Sequence, residues 1–547
     1  MGKQQNRRLP LSFNPYLVLG LATLACLLPF AGKAFHIDDT IYVWVAQQIV
    51  HHPLNPYGLH VVWYVTDMPV SDITKNPPLS SYYGALVGIV AGWSEVAMHL
   101  GFLLPALALI LGTYHLAKRF TASPVIAAMA TLLAPGFLVS ATGVMCDVMM
   151  VALWVWAVIF WLKGIESGKP PYLVASGLLI AACALTKYFG ASLLLLLPAY
   201  SFVKQRRLGA WAWYLFIPAV CLFSYELWTK ALYGRGLLWD AALFARSERV
   251  DQASHLTSGL VGLSFLGGCA LPILLFAPYL WKRWQLILGS FAGALVGLAM
   301  GMHWLHPLVV NAEQDWGWVG VQFAWYVVGG IFVLGLAIAD YRKRRDADSL
   351  LLALWVLGTF VFATFLNWTA NARTVLPLIP AAAILLARRL DETRPAPMRW
   401  FTGKLVVPLA LSAIISLSIA WGDTVFANSG RTMASFICRQ AQNQAGSVFF
   451  EGHWGFQYYM QLYGARPVES GRFAFHTGDQ VVIPGNNCYI IAILPQLVAA
   501  QEAWQLDPHG YAGTMTLGAG FYSSIWGPLP FSFGRVPTEY YLVLQMR

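Results

Sequence analysis

Charge is what this 547-residue chain has least of: Asp, Glu, Lys and Arg together make up 11% of it. A soluble globular protein carries roughly 25%, so a soluble enzyme is excluded. Cysteine is sparse too, seven in all with no CxxC spacing, which excludes a thiolate zinc site of the usual kind. No GxGxxG and no P-loop occurs, so the familiar nucleotide cradles are missing. No internal repeat or low-complexity tract is present. What fills the chain is apolar: 58% AVILMFWYC and 14% aromatic, with a mean hydropathy of +0.58. That composition excludes disorder and indicates a polytopic membrane protein.

Thirteen apolar stretches are long enough to cross, near residues 12–32, 96–117, 123–140, 147–163, 171–186, 189–203, 210–230, 258–280, 284–302, 318–340, 349–366, 372–390 and 402–422. Pro77 to Trp93 is also apolar but short, and reads as an interfacial helix. Alternate loops hold 21 of the 35 Lys and Arg, among them Lys3, Arg7, Arg8, Lys118, Arg119, Arg342 to Arg345, Arg388, Arg389, Arg394 and Arg399. By the positive-inside rule this predicts a cytoplasmic N-terminus and places everything after Trp421 outside. The expected architecture is an all-α membrane domain over 1–422, with a first extracytoplasmic loop at 33–95, and a small α/β extracytoplasmic domain over 423–547. In that tail SVFFEG, DQVVIP, NCYIIAIL and EYYLVLQM read as strands. GRTMASFICRQAQ and HWGFQYYMQLYG read as helices. Cys438 and Cys488 lie there, and the sequence leaves open whether they pair or are unrelated thiols.

Ionisable residues cluster on the outer side of this topology. Asp38 and Asp39 follow the first span, and either one is placed to cap the following helix or to act as a general base. Lys75 precedes a Pro pair, whose rigid turn suits aiming a cation and equally suits a plain loop. Asp147 opens one span, Lys187 lies between two, and Arg373 starts another. Charges at that depth are costly and face a cavity or a partner, although Lys187 has the length to snorkel. Carboxylates beside cations suit transfer from a lipid phosphate: the cations hold the leaving group and a carboxylate deprotonates the acceptor.

These residues, in this order, resemble the GT-C glycosyltransferases. The acidic pair after span one, the Lys/Pro turn, the Leu-Thr-Lys ending at Lys187 and the Arg before LPLIP are similar to bacterial aminoarabinose-transferase-like proteins and protein O-mannosyltransferases. VFFEGHWGFQYYMQLYGARP also looks like the outer domain of bacterial members. The resemblance implies Asp38 as the catalytic carboxylate with Asp39 beside it. It implies Tyr42, Lys75 or Asn76, Lys187 and Arg373 near the donor phosphate or lipid, and Asp147 in support. The family's first-loop Glu-Lys-Pro is here Lys75-Asn76-Pro77, without the carboxylate that helps hold a metal, so no metal or other cofactor is expected. His303 and His306, three apart, are a weak metal pair.

The expected function is a glycosyltransferase of the plasma (inner) membrane. It would take a hexosyl or pentosyl group from a polyprenyl-phosphate donor to a lipid, glycan or protein acceptor outside, with no nucleic-acid partner. The alternatives are a secondary transporter, which would use charges at mid-span, and a non-catalytic envelope assembly protein.

Overall fold

The computed structural model describes residues 14–247, 254–305, 314–393, 403–442, 446–471 and 475–547. The basic residues Lys3, Arg7, Arg8, Arg394 and Arg399, and His306, lie outside them. Every one of the thirteen apolar stretches has helical structure. Among the described residues, seven helices are long and apolar enough to cross a membrane, including Glu95–Phe120, Cys146–Ser167, Trp316–Arg344 and Leu405–Ala441. The chain is an integral membrane protein. Other stretches are helical in pieces, and proline explains the breaks. The 123–140 stretch splits into Pro124–Leu132 and Pro135–Ser140, because Pro135 lacks an N–H and suits the first position of a new helix.

Helix ends follow local chemistry. Ser94 accepts from the Ala97 N–H at the start of Glu95–Phe120. Asp346 and Ser349 form a capping box before Ala347–Val361, and Gly168 closes Cys146–Ser167 with φ +66°, a conformation cheap only for glycine. The 22 residues of Cys146–Ser167 rise ~33 Å, the thickness of a hydrocarbon core. This helix therefore sets Asp147 and Glu166 at opposite ends of the bundle.

The C-terminal part contains a five-stranded mixed sheet in the order Arg466–Pro467, Val448–Phe450, Gln480–Pro484, Glu539–Met546, Val498–Leu506. The first three strands are parallel and the last two antiparallel to their neighbours. Three of the four expected strands are present. The segment 487–494 is not a strand; the edge strand is Val498–Leu506 instead. The expected helix at 430–442 is the end of one continuous helix, Gly403–Ala441. The boundary at 422/423 thus falls inside an unbroken helix. Its last turns supply Ala427, Met433, Ala434 and Ile437 to the core beneath the sheet.

The tail also re-enters the bundle. Phe521, Leu529 and Phe531 are buried in the main apolar core. The Ala372 N–H donates to the Phe521 carbonyl at 2.9 Å, and Gln322 accepts from the Phe533 N–H at 2.7 Å. A Cβ on Gly268 would stand 2.4 Å from Pro530. All seven cysteines are free thiols.

Candidate active site

The acidic pair divides. Asp38 sits at the N-cap of Asp39–His51 but makes no capping bond with its side chain. Its Oδ2 instead accepts from Arg373 Nη1 at 2.9 Å, and the carboxylate is 32% exposed. Asp39 is fully enclosed. Its Oδ2 accepts from the His36 N–H at 3.0 Å and its Oδ1 from the Val144 N–H at 2.7 Å. Asp39 thereby ties the first loop to the start of Cys146–Ser167. Burial raises its carboxyl to about 6, although Lys33 and the two backbone donors pull the other way. Ile37, just before the pair, has φ +49°, an outlier for a β-branched residue.

Arg373 stands on the short helix Ala372–Val375, where Asn371 caps by accepting from the Thr374 N–H at 2.9 Å. Its guanidinium also touches Met145 Sδ at 2.9 Å and faces the Tyr522 ring at 5.5 Å. Arg373 Nε has no partner.

Lys187 is delivered by a helix break. Pro170–Thr186 ends where Lys187 turns extended (ψ 130°), and a 3-10 turn, Tyr188–Ser192, follows. Gly190 is required there, because a Cβ would lie 2.5 Å from the Cys183 backbone. Lys187 Nζ donates to Asp147 Oδ1 at 2.6 Å. Asp147 is buried and its other oxygen has no partner. An ammonium has three donors, so Lys187 keeps capacity for an anion. Tyr42 is buried and donates to Cys146 Sγ at 3.0 Å. Burial first, then Cys146, Asp147 and Asp38, push its hydroxyl well up. Asp38, Arg373, Tyr42, Asp147 and Lys187 therefore form one group.

Lys75 and Asn76 stand in another. Lys75 Nζ donates to Asp240 at 2.7 Å over the Phe244 ring, and Asp240 also pairs with Arg235. The Asn76 carbonyl accepts from Tyr57 at 2.7 Å. Tyr57 is itself buried, and its N–H donates to the Tyr233 hydroxyl at 3.1 Å.

Sequence reasoning missed the support beneath Asp38. Lys33 and Asp423 are both buried and pair at 2.5 Å. Asp423 also accepts from Thr514 at 2.6 Å and Tyr522 at 2.9 Å, and Lys33 donates to Thr142. This knot joins the first loop, the long helix and the re-entrant tail, and Tyr522 carries it to Arg373. The signal was present: each charge follows an apolar run directly. Among the described residues no group of three metal-capable side chains occurs. His303 lies against the Trp316 ring.

A model of the family described as dolichyl-phosphate-mannose-protein mannosyltransferase matches residues 75–228. That stretch holds Lys75, Asn76, Asp147 and Lys187, and the match bears out the resemblance to GT-C glycosyltransferases there. Two solved structures of ArnT from Cupriavidus metallidurans also align. One is bound to undecaprenyl phosphate (TM-score 0.43) and one is in the apo state (0.42). Both are 15% identical, with 86% of this chain and 92% of theirs covered. No curated protein matches.

Proposed function

We propose that the protein transfers a sugar from a polyprenyl-phosphate carrier to an acceptor on the outer side of the membrane. The observation that carries this reading is the pairing of a part-exposed carboxylate, Asp38, with Arg373, in one group with Lys187. Such a site offers cations to a phosphate leaving group and a base to an acceptor hydroxyl.

In this reading the donor phosphate takes up the spare donors of Lys187 and competes with Asp38 for Arg373. Losing its cation frees the Asp38 carboxylate to meet the acceptor hydroxyl. The acceptor oxygen attacks the anomeric carbon and its proton passes to Asp38. The bond from that carbon to the phosphate oxygen breaks, and polyprenyl phosphate leaves with its charge held by Arg373 and Lys187. A single displacement inverts the anomeric centre. Asp147 holds Lys187 in place, Asp39 fixes the loop under Asp38, and Tyr42 lines the group. Lys75 and Asn76 are assigned to the donor's lipid or phosphate approach.

The reading includes thirteen crossings, a cytoplasmic N-terminus and the sheet-bearing lobe outside. It requires no resident metal. Mass measurement of envelope glycolipids and glycoproteins from a deletion strain tests it: one species should lose one hexose or pentose. An unchanged envelope glycan profile, with no transfer by purified protein from any polyprenyl-phosphate sugar, would overturn it.

A further inference from the structure

Resting on the transferase reading, we propose that Tyr64 and Tyr489 form a stacking platform for a saccharide ring of the acceptor, beside Asp38.

The backbone marks the place. Strands His60–Trp63 and Thr66–Pro69 pair antiparallel around the two-residue turn Tyr64-Val65. Both turn residues have positive φ, +21° and +57°. Such turns normally take Asn-Gly or Gly-Gly, and a β-branched valine there is an outlier. Tyr489 (φ +55°) and Trp454 (φ +62°) are strained in the same sense. These four positions come from three separate segments and meet at one junction. Strain of this kind persists only where surrounding structure enforces it, and it gathers at ligand sites.

The junction is rigidly keyed. Gln457 donates to the Val62 carbonyl at 2.9 Å and the Ser470 N–H to the Val65 carbonyl at 2.8 Å. The His453 N–H donates to Asn487 Oδ1 at 2.8 Å, and Asn487 donates back to the His453 carbonyl. A Cβ on Gly455 would lie 2.3 Å from the Phe35 carbonyl, so the lobe abuts the chain three residues before Asp38. Asp38's charge reaches both sides of the junction. After burial it is among the influences that raise Cys488, and after burial and Tyr489 it helps raise Tyr64.

On this frame the Tyr64 and Tyr489 rings stand 4.5 Å apart at 57°, 38% and 51% exposed. Behind them His453 stacks on Trp63 at 4.6 Å. His453 is 3% exposed and is held against Gln457, while Glu451 Oε1 has no hydrogen-bond partner. Exposed ring faces ending in hydroxyls match a pyranose, whose C–H face stacks while its hydroxyls hydrogen-bond. An extended peptide fits less well, because the hairpin carbonyls of Val62 and Val65 are already taken.

The test is saturation-transfer NMR on the purified full-length chain in a sugar-free detergent. The probes are neutral, amino and phosphorylated disaccharides and, separately, a Ser/Thr-rich peptide. Ring protons of at least one disaccharide should saturate. Tyr64→Ala and Tyr489→Ala should each weaken its Kd roughly tenfold, while Tyr489→Phe, which keeps the ring, should stay within about threefold. Saturation of the peptide alone, of no sugar, or of a sugar with wild-type Kd in both Ala variants overturns the proposal. The readout needs no turnover. Polyprenyl-phosphate binding measured on the same preparation separates failure of the platform from failure of the transferase reading.

Discussion

The two ends of the helical bundle carry similar charges and use them differently. At the end opposite the site, every described carboxylate of the cluster is engaged. Asp340 binds Arg344 and Arg388, Glu392 binds Lys343, Arg344 and Arg389, and Asp348 binds Arg119. Asp391 accepts from Thr121, Ser123 and the Ala122 N–H. These groups clasp loop to loop, and two of the cations, Lys343 and Arg389, are about half exposed. At the site end the carboxylates are less fully matched. Asp147 keeps an oxygen without a partner, Lys187 has one carboxylate, and Asp38 has one guanidinium. A carboxylate whose partners are all in the protein holds the fold. Charge left with spare capacity in a low-dielectric setting is poised for a ligand.

The largest contrast in stability should come from one pair at each end. Asp423→Ala leaves Lys33 buried without its carboxylate and should cost roughly 3–5 kcal/mol. Glu166→Ala at the other end removes a partner of Arg119 that is 43% exposed, and should cost roughly 0–1 kcal/mol. Denaturation of both variants in detergent checks this, and equal losses would erase the distinction.

Next in size is a pH effect. Asp39's carboxyl is raised from 3.8 to about 6 by burial, so the folded state holds its proton more tightly than the unfolded chain does. The stability it contributes is complete below about pH 4 and is lost as pH rises through about 6. The step should be on the order of 1–3 kcal/mol. Asp39→Asn should flatten that step in a stability–pH series, whatever its offset from satisfying only one of two backbone donors.

Smaller again, Lys187→Ala should weaken binding of a polyprenyl phosphate about tenfold, and Lys187→Arg should weaken it less because the charge is kept. Equal affinities in titrations of all three proteins would reduce Lys187 to a tether for Asp147. The smallest expected effect is none: transfer should survive chelation. Loss in EDTA with rescue by one divalent ion would reveal a metal site that the chain's Lys75-Asn76-Pro77 departure argues against.

How much was legible follows from what each segment needs. A long apolar run in such a chain encodes helix, so all thirteen stretches surfaced as helical, seven helices being long enough among the described residues to cross. Asp38, Asp147, Lys187 and Arg373 were legible because charge beside hydrocarbon is costly enough to require a reason. Val498–Leu506 was hidden because it is an edge strand, mostly exposed, and its Ala, Gln and Glu have low strand preference. NCYIIAIL looked like a strand, but the left-handed Tyr489 breaks it and the Ile491 N–H goes to Glu451. The re-entrant stretch around Phe521 to Phe533 has no period to read. Its glycines, prolines and serines fit gaps set by distant helices, and so Tyr522's place beside Arg373 and Asp423 was invisible. The split between Asp38 and Asp39 was equally hidden, since one residue of rotation decides which carboxylate meets backbone donors and which meets Arg373.

The central claim is that Asp38 is the base. Asn keeps its shape but accepts no proton, so Asp38→Asn should bind a polyprenyl-phosphate sugar as the wild type does while turnover falls ~10²-fold or more. The same single-turnover assay with Asp39→Asn should show a smaller loss. Near-wild-type turnover in Asp38→Asn with a dead Asp39→Asn would contradict the account, and normal turnover in both would move the base to another residue, with Asp147 the next candidate.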